Sequence, residues 1–314
     1  MRRFKRIRKI VRGSKILTFV FSPISRFVRF MAKIRMTPTQ RNFDRFYKET
    51  FAFVREGSLV VDVPAFDGEF EIDFRSHVLL RLLRDKQYEP ELMPVIDDYL
   101  DPHKDVLDVG ANIGLFSILF STLISEGNRV FAIEPTPRAL DYLRKNILRN
   151  DCSSTVIVVE GVMTDRVGFV TLSTVPGMEE YSSLGRITES IGEESEIQAI
   201  QVSGCTVDNL VRDNKVNPGF IKIDTEGAEY LVLSGAVDTL RNHRPVILSE
   251  LSDKYLATFG HSAENVVNLL ERYGYSVFDA LHLNAPISYP FFGEILAVPK
   301  EHRCSRSLAT SNLI

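Results

Sequence analysis

Two runs of residues have the types and spacing for ligand chemistry. The first is Val106-Leu107-Asp108-Val109-Gly110-Ala111-Asn112-Ile113-Gly114-Leu115-Phe116-Ser117. Its glycines let backbone approach a ligand, and a following helix would offer unpaired N–H groups. The second is Val130-Phe131-Ala132-Ile133-Glu134. A carboxylate closing a second strand can accept hydrogen bonds from both hydroxyls of a ribose. Together they describe a nucleotide-type site built from Asp108, Gly110, Ala111, Asn112, Gly114 and Glu134. A third set of carboxylates lies further on. Asp224 and Glu226 follow the apolar run Phe220-Ile221-Lys222-Ile223, Glu229 comes three residues later, and Glu250 follows Ile247-Leu248-Ser249.

The elements that must position these groups alternate. The pattern predicts strands at Asp105 to Val109, Arg129 to Ile133, Thr155 to Val159, Phe220 to Ile223, Val246 to Ser249, Ser276 to Phe278 and Glu294 to Val298. It predicts helices at Gly114 to Ser125, Pro137 to Arg149 with Thr136 as N-cap, Thr206 to Asp213, Ala228 to Leu240 and Ala263 to Tyr273. Residues 164–204 read as an insertion, with strands near 167–173 and 198–203. Upstream, Ser58 to Val63 and Glu69 to Phe74 flank a turn at Asp67-Gly68, and Glu89 to Leu100 reads as a helix. Such alternation implies a mostly parallel sheet covered on both faces, with ligands beyond the carboxyl ends of the strands. The candidate residues fall at those ends.

Electrostatics discriminates between two ligand classes. A dinucleotide site uses G-x-G-x-x-G to cradle a pyrophosphate. This chain has Asn112 at the middle glycine position and a last gap one residue shorter, and Asp108 stands just before the turn. An anion there would repel a pyrophosphate. It suits S-adenosylmethionine, which carries an ammonium, a sulfonium and no phosphate. A nicotinamide-dependent (NAD) oxidoreductase is the alternative reading. A non-catalytic, membrane-associated protein that retains the fold is another.

The run VLDVGANIGLFS followed by VFAIEP resembles motifs I and II of class I methyltransferases. The later run Phe220-Ile221-Lys222-Ile223-Asp224-Thr225-Glu226-Gly227-Ala228-Glu229 is similar to the signature of the FkbM-type branch of that family, as are Val202 to Leu210 and Ile247 to Glu250. The resemblance covers about residues 85–300. It implies an α/β Rossmann-like fold with a mostly parallel seven-stranded sheet, helices on both faces, a small N-terminal extension, S-adenosylmethionine as cofactor and O-methyl transfer. It implies that Asp108 to Gly114 hold the methionine end, Glu134 the ribose, and Gly161 and Val162 the adenine side. The implied acceptor is a hydroxyl of a sugar, glycolipid or secondary metabolite. The division that follows is a basic arm at 1–36, an extension at 37–100, the methyltransferase domain at 101–300 and a tail at 301–314.

Transfer of a sulfonium methyl to an alcohol needs in-line placement, exclusion of water and a base for the hydroxyl proton. Asp224 is the first candidate for base or substrate anchor, Glu226 the second and Glu250 the third. Glu229 reads as a first-turn helix carboxylate. Three converging carboxylates can also bind Mg2+ through oxygen, an option that is open but not favoured. His spacing supports no metal site. Tyr181, Ser182 and Ser183 in the insertion, and Tyr289, Phe291 and Phe292 near the C-terminus, are candidates for the acceptor side.

Composition sets the remaining bounds. The chain has 314 residues, 44% hydrophobic and 25% charged, which is ordinary globular usage. Cys152, Cys205 and Cys304 form no CxxC pair, so reduced thiols are expected. The net charge of −3 hides an asymmetry: residues 1–35 hold 12 Lys or Arg and no acid, leaving 26 basic against 41 acidic residues elsewhere. Phe4, Ile7 and Val11 share a helical face in that arm, which suits an anionic membrane surface. A targeting segment, or an arm that is packed or disordered, are the competing readings. The acidic body argues against nucleic acid. The expected location is cytoplasmic, peripheral on a membrane if the arm binds lipid, with organelle targeting as the other option.

Overall fold

In a computed structural model, the described residues are 47, 57–174 and 197–302, all within one compact unit, Asp44–Ile314. The basic arm, residues 303–314 of the C-terminal tail and Tyr181, Ser182 and Ser183 lie outside the described residues.

The chain enters through an antiparallel hairpin of β1 (Ser58–Val63) and β2 (Gly68–Asp73). The expected turn at Asp67-Gly68 sits earlier, because Gly68 already pairs with Val63. A 3-10 turn at Pro64–Phe66 makes the reversal, and Asp67 closes it with φ 51°. Phe66 is fully buried and meets Phe116 edge-on, with ring centroids 5.1 Å apart. That contact docks the hairpin beside the glycine-rich turn.

Helix α1 (His77–Asp85) was not legible in the pattern; Ser76 caps it by accepting from Val78 N. The helix expected over Glu89 to Leu100 is instead a 3-10 turn, Pro90–Leu92, followed by α2 (Met93–Tyr99). Pro94 has no N–H to give to a preceding turn, so an unbroken helix cannot run through it.

The core is a seven-stranded sheet of β3 (Asp105–Val109), β4 (Val130–Glu134), β5 (Val156–Glu160), β9 (Pro218–Ile223), β10 (Val246–Ser252), β11 (Tyr275–Asp279) and β12 (Phe292–Pro299). The spatial order is β11-β12-β10-β9-β3-β4-β5. The run from β10 to β5 is parallel, and β12 is antiparallel to both its neighbours. Every residue of β3, β4 and β9 is buried, as a sheet covered on both faces requires. This is the expected Rossmann-like α/β fold. Strand order reverses between β3 and β9, so the crevice opens at their carboxyl ends.

The helices between the strands are α3 (Leu115–Leu123), α4 (Pro137–Arg149), α5 (Val207–Asn214), α6 (Glu229–Ser234), α7 (Val237–Asn242), α8 (Asp253–Leu256) and α9 (Ala263–Arg272). The single helix expected from Ala228 to Leu240 is broken at Gly235 and Ala236. A Cβ on Gly235 would overlap the Thr164 carbonyl, and the Asp208 carboxylate accepts from Asp238 N and Thr239 N to start α7 afresh. The insertion supplies β7 (Gly168–Thr174) and β8 (Gln198–Cys205), which form a second sheet with β6 (Val162–Met163) just before it, around a small core of Val162, Leu172 and Val202.

Candidate functional site

A cavity of about 310 Å3 opens at the β3/β9 switch point. It brings together Asp108, Gly110, Ala111, Asn112, Glu134, Val162, Asp224, Glu226 and Glu250 from the sequence analysis. Gly114 does not line it. Gly114 takes φ 90° at the start of α3, where a Cβ would press on the Leu143 side chain.

The turn after β3 explains its own residue types. Gly110 and Asn112 both have positive φ, 88° and 49°. Asn is among the few non-glycine residues that tolerate this, so it can stand where a dinucleotide motif has glycine. A Cβ on Gly110 would collide with the Asp224 carbonyl, and Asp224 N donates to Val109 O at 2.9 Å. The glycine turn and the acidic turn after β9 are therefore packed backbone to backbone. Asn146 on α4, missed in the sequence, holds the turn from the other side. Its Nδ2 donates to Ile113 O at 2.9 Å and its Oδ1 accepts from Glu71 N at 2.7 Å.

Glu134 is held through both of its carboxylate oxygens. Oε2 accepts from Asn112 N at 2.9 Å, and Oε1 from Thr136 N and Thr136 Oγ1 at 2.9 and 2.6 Å. The expected N-cap position of Thr136 holds, but its hydroxyl serves Glu134 rather than the helix. Asp108 is 1% exposed, and its Oδ2 accepts from Ser117 Oγ at 2.5 Å. Burial pushes its carboxyl up, opposed by Lys222 and by the Ser117 hydrogen bond.

Lys222 is the central residue, although the strand-end pattern does not single it out. It is buried in β9, with Nζ 3.0 Å from Asp224 Oδ2 and 4.6 Å from the Phe116 ring centroid. Burial alone would lower its pKa, but Asp224, Asp108, Glu89 and Glu294 outweigh that and raise it. The signal was a lysine inside an otherwise apolar strand. Such a charge is almost never fully buried unless paired.

Asp224, Glu226 and Glu250 place one carboxylate oxygen each within 4.8 Å of one another. Glu226 sits on a left-handed turn, φ 53°, followed by Gly227 at 104°. Glu229 builds that turn: its Oε1 accepts from Thr225 N, Thr225 Oγ1 and Gly227 N at 3.1, 2.9 and 3.0 Å. Glu229 thus positions Glu226, in keeping with a structural carboxylate. Glu250 was expected to end its strand. It lies inside β10 instead, because β12 extends the ladder to Ser252 and pairs Glu250 with Glu294. Burial first, then repulsion by Asp224, pushes the Glu250 carboxyl up to about 8. Burial likewise raises Glu294 well above the usual range.

Of the three C-terminal aromatics, Phe291 is in the core, Tyr289 is exposed outside the cavity lining, and Phe292 is 74% exposed at the cavity wall.

Comparison with known proteins follows the same lines. The family model described as Methyltransferase FkbM domain matches residues 108–277, more than half of the chain. The hexuronic acid methyltransferase AglP of Haloferax volcanii is 28% identical over 191 residues, covering 60% of this chain and 73% of the relative. The 31-O-demethyl-FK506 methyltransferase FkbM of Streptomyces tacrolimicus is 27% identical over 206 residues, covering 57% of this chain and 75% of the relative. A solved methyltransferase FkbM of Methylobacillus flagellatus KT aligns with a TM-score of 0.42 at 16% identity, over 72% of this chain and 53% of its own. The family match, which spans both the turn after β3 and the acidic turn after β9, shows that the chain belongs to the FkbM methyltransferase family.

Proposed function

We propose that the protein transfers the methyl group of S-adenosylmethionine to a hydroxyl oxygen of a small-molecule or glycan acceptor, a sugar, glycolipid or secondary metabolite. The observation that carries this reading is the convergence of Asp224, Glu226 and Glu250 on the cavity that also holds the Gly110 turn and Glu134. The relatives' names, a hexuronic acid methyltransferase and a 31-O-demethyl-FK506 methyltransferase, support an oxygen acceptor.

The donor set fits the cofactor. Asp108, Glu134 and Asp224 at the crevice suit a ligand of net positive charge and would repel a pyrophosphate. Gly110 and Asn112 would hold the methionine end, Glu134 the ribose, and Gly161 with Val162 the adenine side. When bound, S-adenosylmethionine supplies a sulfonium methyl already activated for displacement. Glu250 is the proposed base, since its pKa of about 8 lies near the operating range of a proton acceptor. Glu250 would accept the O–H proton as the acceptor oxygen displaces the thioether, S-adenosylhomocysteine, from the methyl carbon. Asp224, engaged by the Lys222 ammonium, and Glu226 anchor neighbouring hydroxyls.

The Lys222 ammonium supplies the cation that a carboxylate cluster needs, so Mg2+ has no assigned role. No helix among the described residues is long and apolar enough to cross a membrane. Residues 1–35 are proposed to meet an anionic membrane surface on sequence grounds. Equal liposome co-sedimentation with and without them would overturn that.

The test of the function is transfer of an isotopically labelled methyl group to a panel of neutral sugars, uronic acids and polyketide alcohols. Label recovered as a methyl ether supports the reading, and label found on nitrogen or sulfur acceptors alone overturns it.

A further inference from the structure

One wall of the cavity lies outside the matched domain. Arg81, Tyr88 and Glu89 precede residue 108 yet line the same space as the Gly110 turn. Glu89 has φ 43° and ψ 49°, a left-handed conformation uncommon for a long side chain. Its Oε1 accepts from Arg81 Nη1 at 3.0 Å, and the Arg81 guanidinium lies 4.4 Å from the Tyr88 ring centroid. Its Oε2 is buried with no hydrogen-bond partner. An unmet buried acceptor is costly, and so is a left-handed glutamate. Both costs fall on one residue at a cavity wall, which is where a ligand donor would relieve the first.

We propose that the Arg81–Glu89 ion pair receives the α-amino acid end of the cofactor, Glu89 Oε2 accepting from its ammonium and Arg81 donating to its carboxylate. The inference rests on the S-adenosylmethionine reading. An α-amino acid carries opposite charges on one carbon, and two adjacent side chains of opposite charge match that pattern. Asp108, the carboxylate just before the glycine turn, is almost fully buried and bonded to Ser117. Glu89 offers the carboxylate oxygen that nothing else fills. Burial, the largest influence on Glu89, raises its pKa, Lys222 opposes that, and a bound ammonium would favour the ionised form further.

The test is calorimetric titration of the full-length protein with S-adenosylhomocysteine, its deaminated analogue and 5′-methylthioadenosine, which lacks the amino acid end altogether. In the wild type, loss of the ammonium should weaken binding about ten- to a hundredfold, the range for a hydrogen bond to a charged group. In Glu89→Gln that ratio should collapse toward one, while methylthioadenosine binds as before. A ratio unchanged in Glu89→Gln overturns the inference and leaves the cofactor reading intact. Failure of the wild type to bind both S-adenosylhomocysteine and methylthioadenosine overturns the cofactor reading itself. Should Glu89→Gln not fold, Glu89→Asp keeps the charge and tolerates the left-handed backbone. It should weaken S-adenosylhomocysteine and spare methylthioadenosine, and unchanged affinity for the former would refute the proposal.

Discussion

Lys222 Nζ stands 3.0 Å from Asp224 Oδ2, two residues along the same strand end, with the lysine side chain 3% exposed. This pair neutralises the middle of a group of acids that includes Asp108, Glu89 and Glu294. Removing the buried lysine leaves the acids it faces uncompensated, the fully buried Asp108 above all, at about 3–5 kcal/mol. Lys222→Met should therefore lose about that much stability in denaturant unfolding at pH 8, and less at pH 5, where the stranded acids can take up protons. The same variant should gain a response to Mg2+, whereas wild-type turnover should survive chelation. A wild type inactivated by chelator and rescued by Mg2+ would show that the carboxylates serve a metal.

Glu250 gives a pH dependence of definite sign. Its folded pKa of about 8 lies above the ordinary 4.5, so the folded state binds a proton that the unfolded state has released between those values. Its contribution to stability is complete below pH 4.5 and declines as pH rises toward about 8. As base it must be ionised, so kcat/KM should rise nearly tenfold per pH unit below that point and level off above it. Glu250→Gln should flatten both curves, stabilise the protein at pH 8 and abolish the rising limb. An unaltered rate profile in that variant would transfer the role of base to Asp224 or Glu226.

Gly110 and Gly114 should separate under substitution. Both have φ near 90°, so alanine at either strains the backbone by about 1–3 kcal/mol. Gly110→Ala also drives a Cβ into the Asp224 carbonyl and should abolish S-adenosylhomocysteine binding. Gly114→Ala meets the end of a leucine side chain, away from the cavity lining. It should lower Tm while retaining affinity below the transition. Loss of binding in a folded Gly114→Ala protein would place Gly114 in contact with the ligand.

The sequence displayed the parallel sheet because β3, β4 and β9 are buried on both faces and read as mostly apolar runs, interrupted by Asp108 and Lys222 at the site itself. It displayed Gly110, Asn112 and Glu134 because they sit at the ends of those strands or just beyond them. Glu89 and Arg81 left no comparable trace. Their segment meets the cavity wall through tertiary ring contacts, Tyr88 on Phe66 and Phe66 on Phe116, the latter between residues fifty positions apart. Glu250 was placed at a strand end because the ladder with β12 is non-local and cannot be read from Val246 to Ser249 alone. Lys222 was visible as a charge in an apolar strand, but its partners come from β3, β12 and the segment before α2.

Calorimetric titration of the folded protein with S-adenosylhomocysteine, with NADH as control, tests the central claim most directly. The account predicts saturable binding of S-adenosylhomocysteine that is lost in a folded Glu134→Ala variant, and no binding of NADH. Binding of NADH in its place, or S-adenosylhomocysteine binding indifferent to Glu134→Ala, would contradict it.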